Sequence, residues 1–210
     1  MSRPPELSHR AVALKPSLTL EISAKAKALR DSGKDICSLS AGEPDFETPQ
    51  FTVEAAQQAL ATGFTRYGPA AGDPDLRAAL AHKLSVENGI PTRPEQVLVT
   101  NGGKQAIYNL FQVLLNPGDE VLLPAPYWLS YPEMAALAGA STRIIPTKAE
   151  EGFRLDLDLL EQQITPRSRL LVINSPGNPS GQVMTRAEIC LLYTSPSPRD
   201  LSTSRMPSSA

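Results

Sequence analysis

Between residues 96 and 173, four short runs of β-branched and aliphatic residues recur, each separated from the next by a helical period. The runs are QVLVT (96–100), EVLL (120–123), TRIIP (142–146) and RLLVI (169–173). A strand that returns to its sheet through a helix must pair parallel, because a tight turn only reverses direction. The alternation therefore predicts βαβ units and an α/β fold built on a mainly parallel sheet with flanking helices. The intervening helices carry their own signals. An Ala/Lys-rich segment at 21–30 is closed by Gly33. Thr48-Pro49 reads as an N-cap and first helical residue, followed by an apolar face of Val53, Ala56 and Leu60. Asp73-Pro74 repeats that start, with Leu76, Leu80 and Leu84 at i, i+4 and i+8. Residues 104–115 place Ile107, Leu110, Phe111 and Leu114 at helical spacing. Residues 129–138 and 157–164 read as two more helices, with Pro132 tolerable in a first turn. QVLVT is expected as a strand and RLLVI as a buried one.

Charge and length exclude several classes. Twenty Lys+Arg against 22 Asp+Glu give a formal charge of −2, without the basic excess that phosphate neutralisation demands. No apolar run approaches the roughly 18–20 residues needed to span a bilayer. The first ten residues are polar with two prolines, unlike a secretory leader, and a cytoplasmic protein is expected. Two cysteines, Cys37 and Cys190, are too few for a disulfide framework or a zinc site. Cys37 is expected to be packed, and no metal site is expected.

Twenty prolines in 210 residues are almost double the roughly 5% usual share, and three fall in the last 21 residues, CLLYTSPSPRDLSTSRMPSSA (190–210). Thr185 and Glu188 form a capping box that opens a helix, and the text changes one turn later. One reading is a natural Ser/Pro-rich disordered tail. The other, which is preferred, is a non-native, disordered tail. With one choice of codons the segment back-translates into something resembling a transposon-type sequencing-library adapter, read through. On that reading the fold is truncated after residue 189, leaving an unpaired apolar edge at 170–173.

The loops that follow the strands carry the chemistry. VTNGGKQ (99–105) runs from strand to helix, where glycines and orphan N–H groups admit an anion such as a phosphate. Alone it reads better as a tight turn. NSPGNPSG (174–181) follows RLLVI and, with two X-Pro bonds and two glycines, is stiff enough to aim Asn178; a cis Asn178–Pro179 bond is compatible with it. PAPYW (124–128) puts the sole tryptophan, Trp128, where a flat ring could stack. SAGEPDF (40–46) offers backbone to a carboxylate. Glu43 and Asp45 are read as loop braces, and His9 and His82 as solvated.

Taken together, AGEPDFETP (41–49), FTRYGPAAG (64–72), GGKQ (102–105), NPGDEVLLPAPYWLSYPEM (116–134) and NSPGNPSG (174–181) resemble the pyridoxal-phosphate-dependent aminotransferases of fold type I, class I, over about residues 7–189. The bacterial-type aspartate/prephenate branch is the nearest in pattern. The resemblance implies an N-terminal arm and small-domain segment at 1–45 and a partial large, cofactor-binding domain at 46–189. It implies that the backbone N–H groups of Gly103 and Lys104 hold the phosphate of pyridoxal 5'-phosphate, that Trp128 stacks on its ring, and that Asn178 hydrogen-bonds its phenolic oxygen. Gly42 would meet the substrate α-carboxylate through its backbone. Thr19 and the Lys104 side chain would bind a second carboxylate, as on aspartate. Tyr67 would reach the phosphate of the neighbouring subunit, which implies a homodimer.

The implied reaction moves an amino group between L-aspartate, and in some members prephenate, arogenate or glutamate, and 2-oxoglutarate. It needs a lysine that bonds covalently to the cofactor. In the family that lysine falls after the position matching residue 189. No catalytic residue is therefore assigned within this chain, and it is expected to be inactive as it stands. Two other readings stay open: a lyase of the same fold, of the carbon–sulfur or aminocyclopropane-carboxylate type, and a short non-catalytic binding protein.

Overall fold

A computed structural model describes residues 6–14, 16, 18–39, 42 and 44–194, with the side chain of Thr19 left aside. The segment 195–210 lies outside the described residues, as do Ser40, Ala41 and Glu43. In chain order the elements are α1 (His9–Ala13), α2 (Leu18–Asp31), α3 (Gln50–Ala61), α4 (Pro74–Glu87), α5 (Gly102–Leu114), β1 (Glu120–Pro124), α6 (Ser130–Leu137), β2 (Ser141–Ile145), α7 (Leu157–Gln163), β3 (Ser168–Leu171) and α8 (Arg186–Thr194). The chain forms two compact units: residues 1–15 with 107–210, and residues 16–106.

The first unit holds a three-stranded parallel sheet in the order β2-β1-β3. β1 is central and buried along its length except for Pro124. Successive residues of a strand face opposite sides, and β1 feeds two cores accordingly. Val121 joins Phe111, Leu115, Met134, Ala135 and Ala140 on the side of α5 and α6. Leu122 joins Ile145 and Leu160 on the side of α7, with Leu171 and Leu192 packed alongside. Each fully buried aliphatic side chain contributes about 1.5–3 kcal/mol, so this sandwich supplies most of the unit's stability.

The placement of the helices follows from handedness. β1 to β2 steps one way across the sheet, and β2 to β3 steps back past β1. A right-handed crossover in both directions requires the two helices on opposite faces, and α6 and α7 lie there.

Three sequence expectations are corrected in these elements. RLLVI is a half-buried edge strand, because nothing pairs with its outer side among the described residues; Ile173 is 37% exposed. The helix that opens at Thr185 does not stop at 189. It runs to Thr194, since Cys190-Leu191-Leu192 continues its apolar pattern and Leu192 packs under the sheet. QVLVT, in the second unit, is not a strand: Gln96 closes a 3-10 turn (Pro94–Gln96), and the chain is extended at Val97. The Arg77 guanidinium takes the carbonyls of Val97 at 2.9 Å and Pro94 at 2.7 Å, and the Val99 N–H goes to Ala71 O at 2.9 Å. The Val97 carbonyl and the Val99 N–H are thus satisfied by a side chain and a loop in place of a ladder.

The second unit is helical. Asp73 caps α4, accepting from the N–H groups of Asp75 (3.0 Å) and Leu76 (3.1 Å), with Pro74 in the first turn. Thr48 does not cap α3; Pro49 occupies that position and no side chain caps it. No residue of α3 is buried, and Leu60 and Phe51 are exposed. Cys37, expected to be packed, is exposed. Gly72 has φ +103°, and a Cβ there would stand 2.5 Å from Val99 Cγ2, which makes glycine obligatory at that close approach.

Candidate active site

β1 and β3 are neighbours whose following chain departs toward opposite faces of the sheet: from β1 into α6 and from β3 into α8, whose Leu192 joins the core on the α7 side. Such a divergence opens a crevice beyond the strands' carboxyl ends, which is where open α/β sheets bind ligands. The crevice exists here. It is lined from the β1 side by Pro124, Ala125, Pro126, Tyr127 and Tyr131, and from the β3 side by Asn174, Gly177, Asn178 and Ser180, with Phe153 between.

The β1 loop is held at both ends. The Ala125 N–H donates to Ile145 O at 2.9 Å, and the Thr147 hydroxyl donates to Ala125 O. Further on, the Tyr131 N–H donates to Trp128 O at 3.1 Å. The Trp128 and Tyr131 rings meet edge to face at 5.3 Å and 89°, a favoured aromatic geometry. Trp128 is half-buried, and one side of it packs on the Phe111–Met134 core. Burial pushes the Tyr131 phenol above its ordinary pKa, so it stays protonated at neutral pH.

The β3 loop is closed on itself. The Met184 N–H donates to Ser175 Oγ at 2.9 Å, the Gly177 N–H to Gln182 O at 2.8 Å, and the Gly181 N–H to Gly177 O at 2.7 Å. A side chain at Gly177 would put a Cβ 2.6 Å from Ser180 Oγ. The bonds before Pro126, Pro176 and Pro179 are cis. Asn178 is exposed at the crevice. Phe153 holds φ +57°, a costly conformation for a bulky residue and one that clusters at ligand sites.

The structure thus brings Asn178 and the loop carrying Trp128 to one end of one sheet. The other predicted residues belong to the second unit. Gly103 and Lys104 lie in the first turn of α5, after Gly102 at φ +79°, and both are exposed. The turn before them is fixed by the Asn101 N–H on Gln105 Oε1 at 2.6 Å and by the Thr100 hydroxyl on Gly102 O at 3.1 Å. The first N–H groups of a helix have no acceptor within it, so this turn presents donors with a positive dipole. Tyr67 is fully exposed, beside Thr65 and Arg66. Gly42 is exposed. Thr19 is in α2, its side chain outside the description.

Sequence reasoning missed Thr147, Ser175 and Phe153. No sequence spacing marks Thr147, whose acceptor lies 22 residues away. Among the described residues no group of three or more His, Cys, Asp or Glu side chains could hold a metal, and no helix is long and apolar enough to cross a membrane.

Residues 34–197 match the family described as aminotransferase class I and II. The chain is 53% identical over 177 residues to the aspartate/prephenate aminotransferase of Thermus thermophilus, spanning 84% of this chain and 46% of that protein. It is 51% identical over 180 residues to the bifunctional aspartate aminotransferase and glutamate/aspartate-prephenate aminotransferase of Petunia hybrida, spanning 86% of this chain and 38% of that protein. The solved aspartate aminotransferase from Thermus thermophilus with maleate superposes with a TM-score of 0.84 at 51% identity, over 88% of this chain and 48% of that one. The chain therefore spans about half the length of the relatives it matches.

Proposed function

The chain belongs to the class I and II aminotransferase family, and from that premise we propose that it is part of a pyridoxal-phosphate-dependent aminotransferase. The proposed reaction moves an amino group between L-aspartate and 2-oxoglutarate, with prephenate as a further acceptor. The observation that carries the reading is the crevice between the β1 and β3 loops, with Asn178 among its exposed lining residues.

The donor set suits the cofactor. Tyr127 and Tyr131 in the crevice, with the Trp128 ring against Tyr131, suit a flat heteroaromatic, and the Asn178 amide suits a ring oxygen; the first turn of α5, in the second unit, has the donors a phosphate takes. When bound, pyridoxal phosphate supplies the electron sink that lets a bond at the amino-acid Cα break. This chain's own groups bind and orient. The N–H groups of Gly103 and Lys104 would hold the phosphate. Trp128 would form a flat wall, fixed by its contact with Tyr131. Asn178 would donate its amide to the phenolic oxygen from a loop whose backbone is closed on itself. The Gly42 backbone would meet the α-carboxylate. The Lys104 ammonium and Thr19 hydroxyl would recognise a second carboxylate and so favour dicarboxylic substrates. Tyr67 would serve the partner subunit of a homodimer, and the assembly is proposed to be cytoplasmic.

No lysine is among the residues lining the crevice, so binding is a more direct test than turnover. Pyridoxal phosphate should quench Trp128 fluorescence saturably, and Asn178→Ala should weaken that quenching about tenfold, the worth of a hydrogen bond to a charged group. Quenching no different from that of free tryptophan would sink the reading. Lys104→Ala should weaken binding of a dicarboxylate more than that of a monocarboxylate. Equal losses would remove the dicarboxylate role.

A further inference from the structure

Ala125 is the last residue that the β1·β2 ladder can register before the chain turns toward Trp128. The ladder's paired residues end at Pro124 opposite Ile145. One further rung follows, from the Ala125 N–H to Ile145 O at 2.9 Å. At the position of the next rung, the Thr147 hydroxyl donates to Ala125 O. Both backbone groups of Ala125 are therefore held by the chain that leaves β2, and only Pro126 and Tyr127 separate this anchor from Trp128.

We propose that Thr147 is a positioning residue for Trp128. Its hydroxyl fixes the peptide from which the aromatic loop departs, and with the Tyr131 contact on the far side it sets where the indole face stands. Thr147 is half-buried, and its β-branched side chain has few χ1 choices. The hydroxyl is thus presented with little entropy to lose and partly shielded from competing water. Valine keeps the shape and removes the donor; serine keeps the donor. The inference rests on the reading of Trp128 as the wall against which a cofactor ring stacks, and the test separates the two.

Trp128 is the sole tryptophan of the chain, so its near-ultraviolet circular dichroism band and emission maximum report on this indole alone. Both are to be recorded on the 210-residue chain without ligand, for the parent, Thr147→Val and Thr147→Ser, beside urea unfolding and quenching by pyridoxal phosphate. Thr147→Val should change the tryptophan band and weaken quenching about fivefold, the effect of one lost hydrogen bond. Thr147→Ser should restore both. A Thr147→Val chain that unfolds at lower urea while keeping the parental band and quenching would overturn the proposal, because its hydroxyl would then only stabilise. If pyridoxal phosphate fails to quench the parent, the wall reading falls, and the band still decides: unchanged in Thr147→Val, the clamp falls too; changed and restored by serine, the clamp stands. Should Thr147→Val not fold, Thr147→Ala against Thr147→Ser carries the same comparison.

Discussion

Replacing Glu120 by Gln should lower stability at neutral pH by about 1–2 kcal/mol, and the loss should disappear in acid. Glu120 opens β1 with 3% exposure. Its Oε1 accepts from Arg167 Nη2 at 2.7 Å and Nε at 3.1 Å, and from Arg143 Nη2 at 3.3 Å. Its Oε2 accepts from the Thr165 hydroxyl at 2.7 Å and Arg143 Nε at 3.3 Å. Arg143 reaches on to Gln163 Oε1 at 3.2 Å. One carboxylate thereby ties β1, β2, α7 and the approach to β3. The Arg167 and Thr165 hydrogen bonds, then Arg143, outweigh burial and bring the Glu120 pKa from 4.5 down to about 2.

A shift of that size corresponds to about 3 kcal/mol at 1.36 kcal/mol per unit. The guanidiniums are 66% and 36% exposed, so solvent screening reduces this to about 1–2 kcal/mol. The folded value lies below the ordinary one, so the contribution is complete above about pH 4.5 and is lost as pH falls toward about 2. Gln keeps the volume but turns an amide toward guanidinium donors. Urea unfolding followed by Trp128 emission, run on both chains at about pH 7 and about pH 3, measures the gap. It should narrow in acid. A gap of equal size at both would mean that packing, and not charge, had been lost, and the reasoning above would be wrong.

Asp73→Ala removes the α4 cap and should cost about 1 kcal/mol, read as faster amide exchange in the first turn of α4. Gly72→Ala meets Val99 at 2.5 Å with φ +103°; it should destabilise by more than about 2 kcal/mol and expose the Val99 N–H to exchange. Leu123→Ala, at a residue 1% exposed in the central strand, should cost about 2–5 kcal/mol, read as a lower urea midpoint of the unit formed by residues 1–15 and 107–210.

What was legible in the sequence was whatever a local pattern determines. EVLL, TRIIP and RLLVI announce strands because aliphatic runs bounded by Gly and Pro have few other uses. Asp73-Pro74 and Thr185 with Glu188 announce helix starts because a side chain three residues away satisfies the orphan N–H; Thr185 Oγ1 accepts the Glu188 N–H at 3.2 Å, and the Glu188 carboxylate returns to the Thr185 N–H at 2.6 Å. The errors arise where a distant group decides. QVLVT has the composition of a strand, and Arg77, some twenty residues earlier, takes the carbonyl that a ladder would have used. The apparent break at 190 reflects composition changing before the backbone does. That Asn178 and Trp128 lie just past strand ends was legible because each sits in a Pro-rich loop after an aliphatic run. Thr147 was not, because a single hydroxyl aimed at a carbonyl 22 residues away leaves no spacing to read. Glu120 was not, because its arginines lie 23 and 47 residues downstream.

The two ends of the central strand explain why the most perturbed acid is not a functional marker. Perturbed carboxylates point to active sites when low dielectric and a cleft act together. Glu120 is at the amino end of β1, where the parallel strands begin and the chain is fixed by ion pairs. The crevice is at the opposite, carboxyl end, where the loops from β1 and β3 diverge. There the lining residues are apolar or neutral hydrogen-bonding groups, with Asn178 among the exposed ones. An acidic cluster there would repel an anionic ligand such as the one proposed; a neutral amide and aromatic side chains would not. The ion-pair network and the crevice thus stand at opposite ends of one strand of five residues, and changes at Glu120 and at Thr147 should alter stability and the indole independently, since distant sites without shared partners add.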